Sequence, residues 1–193
     1  MTGIILASGF SRRFNGDKLL AIYKHQPLIQ IVIENCLDSR LDEVIVIYRN
    51  PEVLKLIKKY PIHLIENPNA HEGMSASLKL GIGSLNPSVE ACMVIMGDQP
   101  LFLADDFNRL ISHYLTNPIL TAAAYNNQRK TPVIFPRKYF NDLLETHGDS
   151  GGRHIIDKEK NKQLVVFDQE KLFDIDTQEE LNQINISKED YHV

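Results

Sequence analysis

The chain has 193 residues, a length that fits one domain with a sizeable core. Its 21 Lys and Arg against 25 Asp and Glu give a net charge of −4, and the basic residues are scattered. That pattern argues against a nucleic-acid polymer or an anionic membrane surface as the main partner. Cys36 and Cys92, far apart in apolar segments, give neither a disulfide framework nor a zinc spacing and read as buried reduced thiols.

The N-terminus enters Ile4-Ile5-Leu6 without a basic leader segment. No apolar run reaches the roughly 18 residues of a spanning helix, so a soluble cytoplasmic protein is expected. Seven histidines are dispersed, and none is assigned to a metal. Residues 3–7 read as a first buried strand that ends in a glycine-containing turn. Pro27 opens a helix, because Leu28, Ile31, Val32 and Cys36 follow with helical spacing. Residues 43–48 predict a second buried strand, residues 51–60 a helix bounded by two prolines, and residues 62–65 a third strand. A helix over 75–85 is entered through Gly73. The most apolar strand, 91–96, runs into Gly97-Asp98-Gln99-Pro100, and a helix from about 104 to 115 follows.

Residues 119–125 and 132–135 predict a hairpin or crossover near an edge of the sheet. A helix over 137–144, a glycine loop at 148–152 and a short helix come next. Strands at 164–167 and 173–175 and a closing helix to residue 184 complete the fold, with one domain over 1–186 and a tail over 187–193. Alternating strands and helices predict an α/β fold of three layers. Its mostly parallel sheet is covered by helices on both faces, with ligands at the carboxyl ends of the strands.

Chemistry-bearing residues fall at those ends. In Leu6-Ala7-Ser8-Gly9-Phe10-Ser11-Arg12-Arg13-Phe14-Asn15-Gly16-Asp17-Lys18, two glycines free the backbone so that N–H groups can converge on phosphate oxygens. Arg13 and Lys18 would add charge-assisted bonds, which makes the segment either a triphosphate cradle or a surface turn with solvated cations. It is not a P-loop, since Asp17 separates Gly16 from Lys18 and Leu19 follows the lysine.

Asp98, at the mouth of the apolar strand, suits Mg²⁺, or equally an Asx turn. Asp174 and Asp176 would share one face of a strand, and Thr177 with Glu180 fits a capping box that leaves Asp176 free for a ligand. Asn67, Gly73, Ser75 and Ser77 flank a loop that enters a helix. It could meet a nucleobase edge, or its serines could simply cap the helix. Gly148-Asp149-Ser150-Gly151-Gly152-Arg153 reads as a backbone nest for a second phosphate or as a plain flexible turn.

These motifs together resemble the MobA-like nucleotidyltransferases. L-A-S-G-x-S-x-R followed by Lys18 is similar to L-A-A-G-x-S-x-R-x-G-x-x-K, with Ser8 for the second alanine and Asn15 in the usual glycine position. G-D-Q-P around Asp98, D-T-Q-E-E-L from Asp176, and G-M-x-x-S-L-x-x-G from Gly73 keep the family's order. The pattern G-x-R-G-x-P is only partly kept: Arg129 and Pro132 match, while Asn127 and Lys130 stand where glycines are usual.

The resemblance implies a Rossmann-like, GT-A-like fold and catalysis by Arg13, Lys18 and Asp98. It implies nucleotide contacts from Leu6, Ala7, Ser8, Gly9, Ser11, Arg13, Lys18, Asn67, Gly73, Ser77 and Asp98, with Ser77 on the base. Asp98 and Asp176 would hold Mg²⁺. Pro132, Gly148, Asp149 and Arg153 fall on the acceptor side.

The Gly73 segment is most like the molybdopterin cytidylyltransferase branch. That branch implies CMP transfer from CTP to a molybdopterin-type acceptor, with pyrophosphate release, to make a cofactor for a molybdenum hydroxylase. The rival readings are guanylyl transfer, nucleotidyl transfer to a sugar phosphate, and a non-catalytic carrier of the finished cofactor. A pure carrier would need neither the two acidic positions nor Lys18.

Overall fold

The computed structural model describes residues 1–186, and the predicted tail over 187–193 lies outside the described residues. The strands are β1 (Thr2–Ala7), β2 (Ile22–Tyr23), β3 (Gln26–Pro27), β4 (Glu43–Tyr48), β5 (His63–Glu66), β6 (Ala91–Met96), β7 (Leu120–Tyr125), β8 (Gln128–Pro136) and β9 (Lys162–Val166). The α-helices are α1 (Leu28–Leu37), α2 (Pro51–Ile57), α3 (Met74–Gly83), α4 (Ala104–Thr116), α5 (Phe140–Leu144), α6 (Arg153–Lys158) and α7 (Gln178–Ile186).

Seven strands form one sheet in the order β5-β4-β1-β6-β8-β7-β9, while β2 and β3 make a separate two-stranded ribbon. Within the large sheet only β8 runs against its neighbours; β4, β1 and β6 pair in parallel, as do β7 and β9. The fold is therefore the three-layer, mostly parallel α/β architecture expected.

Strand periodicity divides the core. Ile5, Val46, Met93 and Ile134 face α1, α2 and α4 through Ile29, Val53, Phe107 and Leu110. Their neighbours Ile4, Ile45, Val94 and Val133 face α3, α5 and α6 through Leu78, Leu143 and Ile156. Both faces being covered explains why the central strands read as continuous apolar runs. Cys36 and Cys92 are fully buried, one in each cluster, and burial pushes both thiols well above their usual range.

From β1 the chain builds outward to β4 and β5, then returns to place β6 on the other side of β1. Loops leaving β1 and β6 diverge at such a reversal and open a crevice at the carboxyl ends of the strands.

One expectation is met and one is corrected. The predicted hairpin forms near an edge of the sheet, across an Asn126-Asn127 turn with both residues at positive φ. β8 lies inside the sheet against β6, with Val133, Ile134 and Phe135 buried, and β9 takes the edge. Residues 173–175 are not a strand; a 3₁₀ turn at Gln169–Leu172 leads into an extended segment held by one backbone bond, Ile175 N–H to Asp98 O at 3.1 Å. Alternating residues alone do not make a strand where no neighbouring strand supplies a ladder.

Candidate active site

The extended segment after Leu172 lies across the end of β6. Its single backbone bond to Asp98, together with the packing of Ile175 and Leu181 on Phe14, Tyr23 and Leu28, ties it to the loop after β1. Lys18, Asp98 and Asp176 converge there. Lys18 Nζ is paired with Asp98 and lies 2.7 Å from Asp176 Oδ1, while Arg13 Nη2 donates to the other oxygen of Asp176. Burial disfavours the Lys18 ammonium, but the two carboxylates outweigh it and hold its pKa above the ordinary lysine value. For Asp176, burial is likewise outweighed by Lys18 and Arg13, which keep its carboxyl below the usual range.

Asp174 opens onto the same cavity. The surrounding walls and the carboxylates of Asp98 and Asp176 push its pKa up to about 6. Its place beside Asp176 was legible in the alternation of the sequence; its contribution to the site was not.

The loop holds Lys18 by its own turns. Ser11, at φ 50°, accepts the Lys18 N–H on its hydroxyl, and its carbonyl accepts the Phe14 N–H at 2.8 Å. Gly16 adopts φ 106°, so the displaced glycine supplies the left-handed residue that Asn15 would otherwise have to provide. Gly9 does not take positive φ. A side chain there would project into open space, so this glycine leaves room above the crevice. Asp17 caps the 3₁₀ turn at Lys18–Leu20 and is held in turn by Asn50 Nδ2 at 2.7 Å.

Two cavities meet at this loop. The larger, of about 660 Å³, is bordered by Leu6, Ala7, Gly9, Ser11, Arg13 and Lys18, and also by Asp98, Asp149, Arg153 and Asp176. The smaller, of about 340 Å³, is bordered by Leu6, Ser8, Gly9, Gly73, Ser77 and Asp149. Three expected contact residues, Asn67, Pro132 and Gly148, border neither.

Asn67 is fully buried beneath the smaller cavity. Its Nδ2 donates to Ser77 Oγ at 3.0 Å and to Ser8 Oγ at 3.3 Å, and the two hydroxyls bond each other. The Ser77 hydroxyl is therefore part of this network, and Ser77 also borders the smaller cavity. Neither Ser75 nor Ser77 caps α3. The cap comes from across the fold, where Asp149 Oδ1 accepts the Met74 N–H at 3.1 Å. Gly73, at φ 97°, passes so close to Gly148 and Asp149 that a methyl group would overlap them. The 148–152 loop thus divides the two cavities.

On the far side, β7 and β8 lose register between Ala122 and Ala124, and the surplus residues of β8 bulge. Lys130 and Thr131 of that bulge and the paired Arg129 beside it border the larger cavity, and Gln99 Nε2 reaches Thr131 O at 3.4 Å. Arg129 is pinned to Asp157 of α6 at 2.7 Å and holds that carboxyl below its usual range. Arg12 borders both cavities. Sequence reasoning gave roles to none of Arg12, Lys130 and Asp174; for Arg12 the available signal was its place in the same loop as Arg13.

A crevice at the sheet's reversal, lined by clustered cations and carboxylates, defines a phosphate-handling α/β protein. The MobA-like NTP transferase domain model matches residues 3–165, and the chain belongs to that family. It is a nucleotidyltransferase of the MobA-like class.

Among curated relatives, the purine catabolism protein PucB of Bacillus subtilis (strain 168) is 25% identical over 199 residues, spanning 95% of each chain. A probable molybdenum cofactor guanylyltransferase of Thermococcus sibiricus is 26% identical over 200 residues, 95% of this chain and 97% of the relative. The crystal structure of Rv0371c from Mycobacterium tuberculosis H37Rv superposes with TM-score 0.84 at 19% identity, covering 96% of this chain and 97% of that one. The same protein in complex with manganese gives 0.78 at 19% identity, covering 96% and 98%.

Proposed function

We propose that the protein transfers CMP from CTP to a terminal phosphate oxygen of a molybdopterin-type acceptor. The acceptor oxygen forms a bond to the α-phosphorus while the bond from that phosphorus to the bridging oxygen breaks, and pyrophosphate leaves with its electron pair. No covalent enzyme intermediate is needed. The observation that carries this reading is the Lys18 ammonium seated between Asp98 and Asp176 in the larger cavity.

The residues fit a divalent cation. Asp98 Oδ1 is buried without a hydrogen-bond partner among the described residues, and a positive charge is already accommodated between Asp98 and Asp176. Among the described residues no three His, Cys, Asp or Glu side chains form a metal cluster. Mg²⁺ asks for no more than one or two carboxylates, with phosphate and water completing its shell. Asp98 and Asp176 would hold it, and when bound it would supply charge neutralisation to the phosphates. The manganese complex of the mycobacterial neighbour is in keeping with a divalent ion in this fold.

Lys18 and Arg13 are the donors for the oxygens of the departing pyrophosphate. Arg129, Lys130 and Arg153 give the far wall the charge to meet an anionic acceptor. The dinucleotide product would serve a molybdenum hydroxylase.

A second reading, GMP transfer from GTP, is favoured by the names of the guanylyltransferase relatives. Pyrophosphate release with CTP and GTP competing at equal concentration over molybdopterin separates the two. Preferential use of CTP supports the cytidylyl reading. Equal or preferred use of GTP overturns it and leaves nucleotidyl transfer intact.

A further inference from the structure

Phe10 is a large apolar side chain at the tip of the loop after β1, yet 44% of its surface is exposed. It borders the smaller cavity, the one beside Ser8 and Ser77. Arg49, which does not border that cavity, covers the ring with its guanidinium carbon 4.4 Å from the ring centre. The arginine is itself tied to the loop. Its Nη2 reaches Gly9 O at 3.4 Å and Asp17 Oδ2 at 3.9 Å, so ring and guanidinium form one assembly anchored on both sides of Arg13.

The serine hydroxyls that would naturally read a base edge are bonded to Asn67 and to each other, which leaves them a single hydroxyl hydrogen for a base edge. Affinity for a base in this cavity must then come largely from another source. An exposed ring at the rim, braced from behind by a cation, offers a flat π surface.

We propose that Phe10 is the stacking platform for the nucleobase, with Arg49 as the positioning residue that braces it. This rests on the nucleotide-binding reading above and adds a residue outside the family motif, since position 10 is a variable position between Gly9 and Ser11. Stacking accepts any base, because every base has a π face. The platform therefore supplies affinity, while selection among bases falls to other groups of the cavity.

Titration calorimetry with CTP, GTP and inorganic tripolyphosphate, each with Mg²⁺, tests the assignment. Phe10→Ala should weaken CTP and GTP alike, by about tenfold, leaving their ratio and the tripolyphosphate affinity as in the wild type. The chain has no tryptophan, so Phe10→Trp installs a single indole that can be excited selectively over the seven tyrosines. Its emission should be quenched by CTP and unaffected by tripolyphosphate.

Wild-type affinity for CTP in Phe10→Ala, or equal losses of CTP and tripolyphosphate, would overturn the platform and leave nucleotide binding standing. A wild-type chain that binds neither nucleotide would overturn both readings together.

Discussion

The two ends of the larger cavity are built differently. At one end Lys18, Asp98, Asp176 and Arg13 pair with one another at the mouths of β1 and β6, and the side chains of Lys18 and Asp98 are only 14% and 7% exposed. At the other end Lys130 and Arg153 are exposed, on a strand bulge and at the start of a two-turn helix, beside a loop with three glycines at positive φ. The first end is held by paired charges among buried strands. The second is held by one arginine pair and by loop conformation, so its side chains can adapt to an acceptor. Chemistry that is common to a family suits the first construction, and recognition that differs between members suits the second.

Removing the cation from the paired end should have the largest effect. Lys18→Ala leaves Asp98 and Asp176 without their shared partner and takes away a donor to the leaving group. We expect turnover to fall by on the order of 10²-fold or more, with triphosphate affinity lost far more than nucleoside affinity. Titrations with CTP and cytidine check it; equal losses for both would place Lys18 outside the triphosphate site.

Gly73→Ala strikes the contact between the start of α3 and the loop at 148–152. A Cβ there would lie 2.5 Å from Asp149 Oδ1 and 2.8 Å from the Gly148 backbone carbon, at a φ of 97° that alanine disfavours. The strain should cost about 1–3 kcal/mol and displace the Asp149 cap of α3. Thermal unfolding would register it as a fall of several degrees, and an unchanged midpoint would mean that the 148–152 loop moves aside freely.

The smallest change is expected at the adaptable end. Arg129→Gln breaks a surface pair with Asp157 whose contribution to stability is below about 1 kcal/mol. Its mark should be a few-fold rise in KM for the acceptor with KM for CTP unchanged, a split that steady-state kinetics measures directly. A larger effect on CTP than on the acceptor would reverse the assignment of the two ends.

The sequence was most readable at the paired end. The apolar run at Ala91–Met96 forces a buried strand, and the glycine and aspartate after it must then emerge at a strand end. Gly16 could be read as a turn residue because few other residues take its φ, and the capping box of Thr177 and Glu180 forms with bonds of 2.8 and 3.2 Å. What could not be read depended on partners distant in sequence. Nothing local to Asp149 announces that it caps a helix 75 residues away, nor does anything near Ser77 reveal that Asn67 and Ser8 claim its hydroxyl. The strand expected at 173–175 is missing for the same reason, since ladder partners are set by packing of the whole chain. The acceptor wall was least readable because a bulge, not a motif, aims Lys130 and Thr131.

The central claim is that Asp98 and Lys18 belong to a centre for nucleotidyl transfer. It is tested most directly by measuring pyrophosphate release from CTP in the presence of Mg²⁺ and molybdopterin, for the wild type and for Asp98→Asn. The side chain is isosteric, so the fold should persist by circular dichroism. The account predicts acceptor-dependent release by the wild type, its loss on chelation of the metal, and a rate on the order of 10²-fold lower or less in the variant. Near wild-type release by Asp98→Asn, with the fold intact, would contradict it.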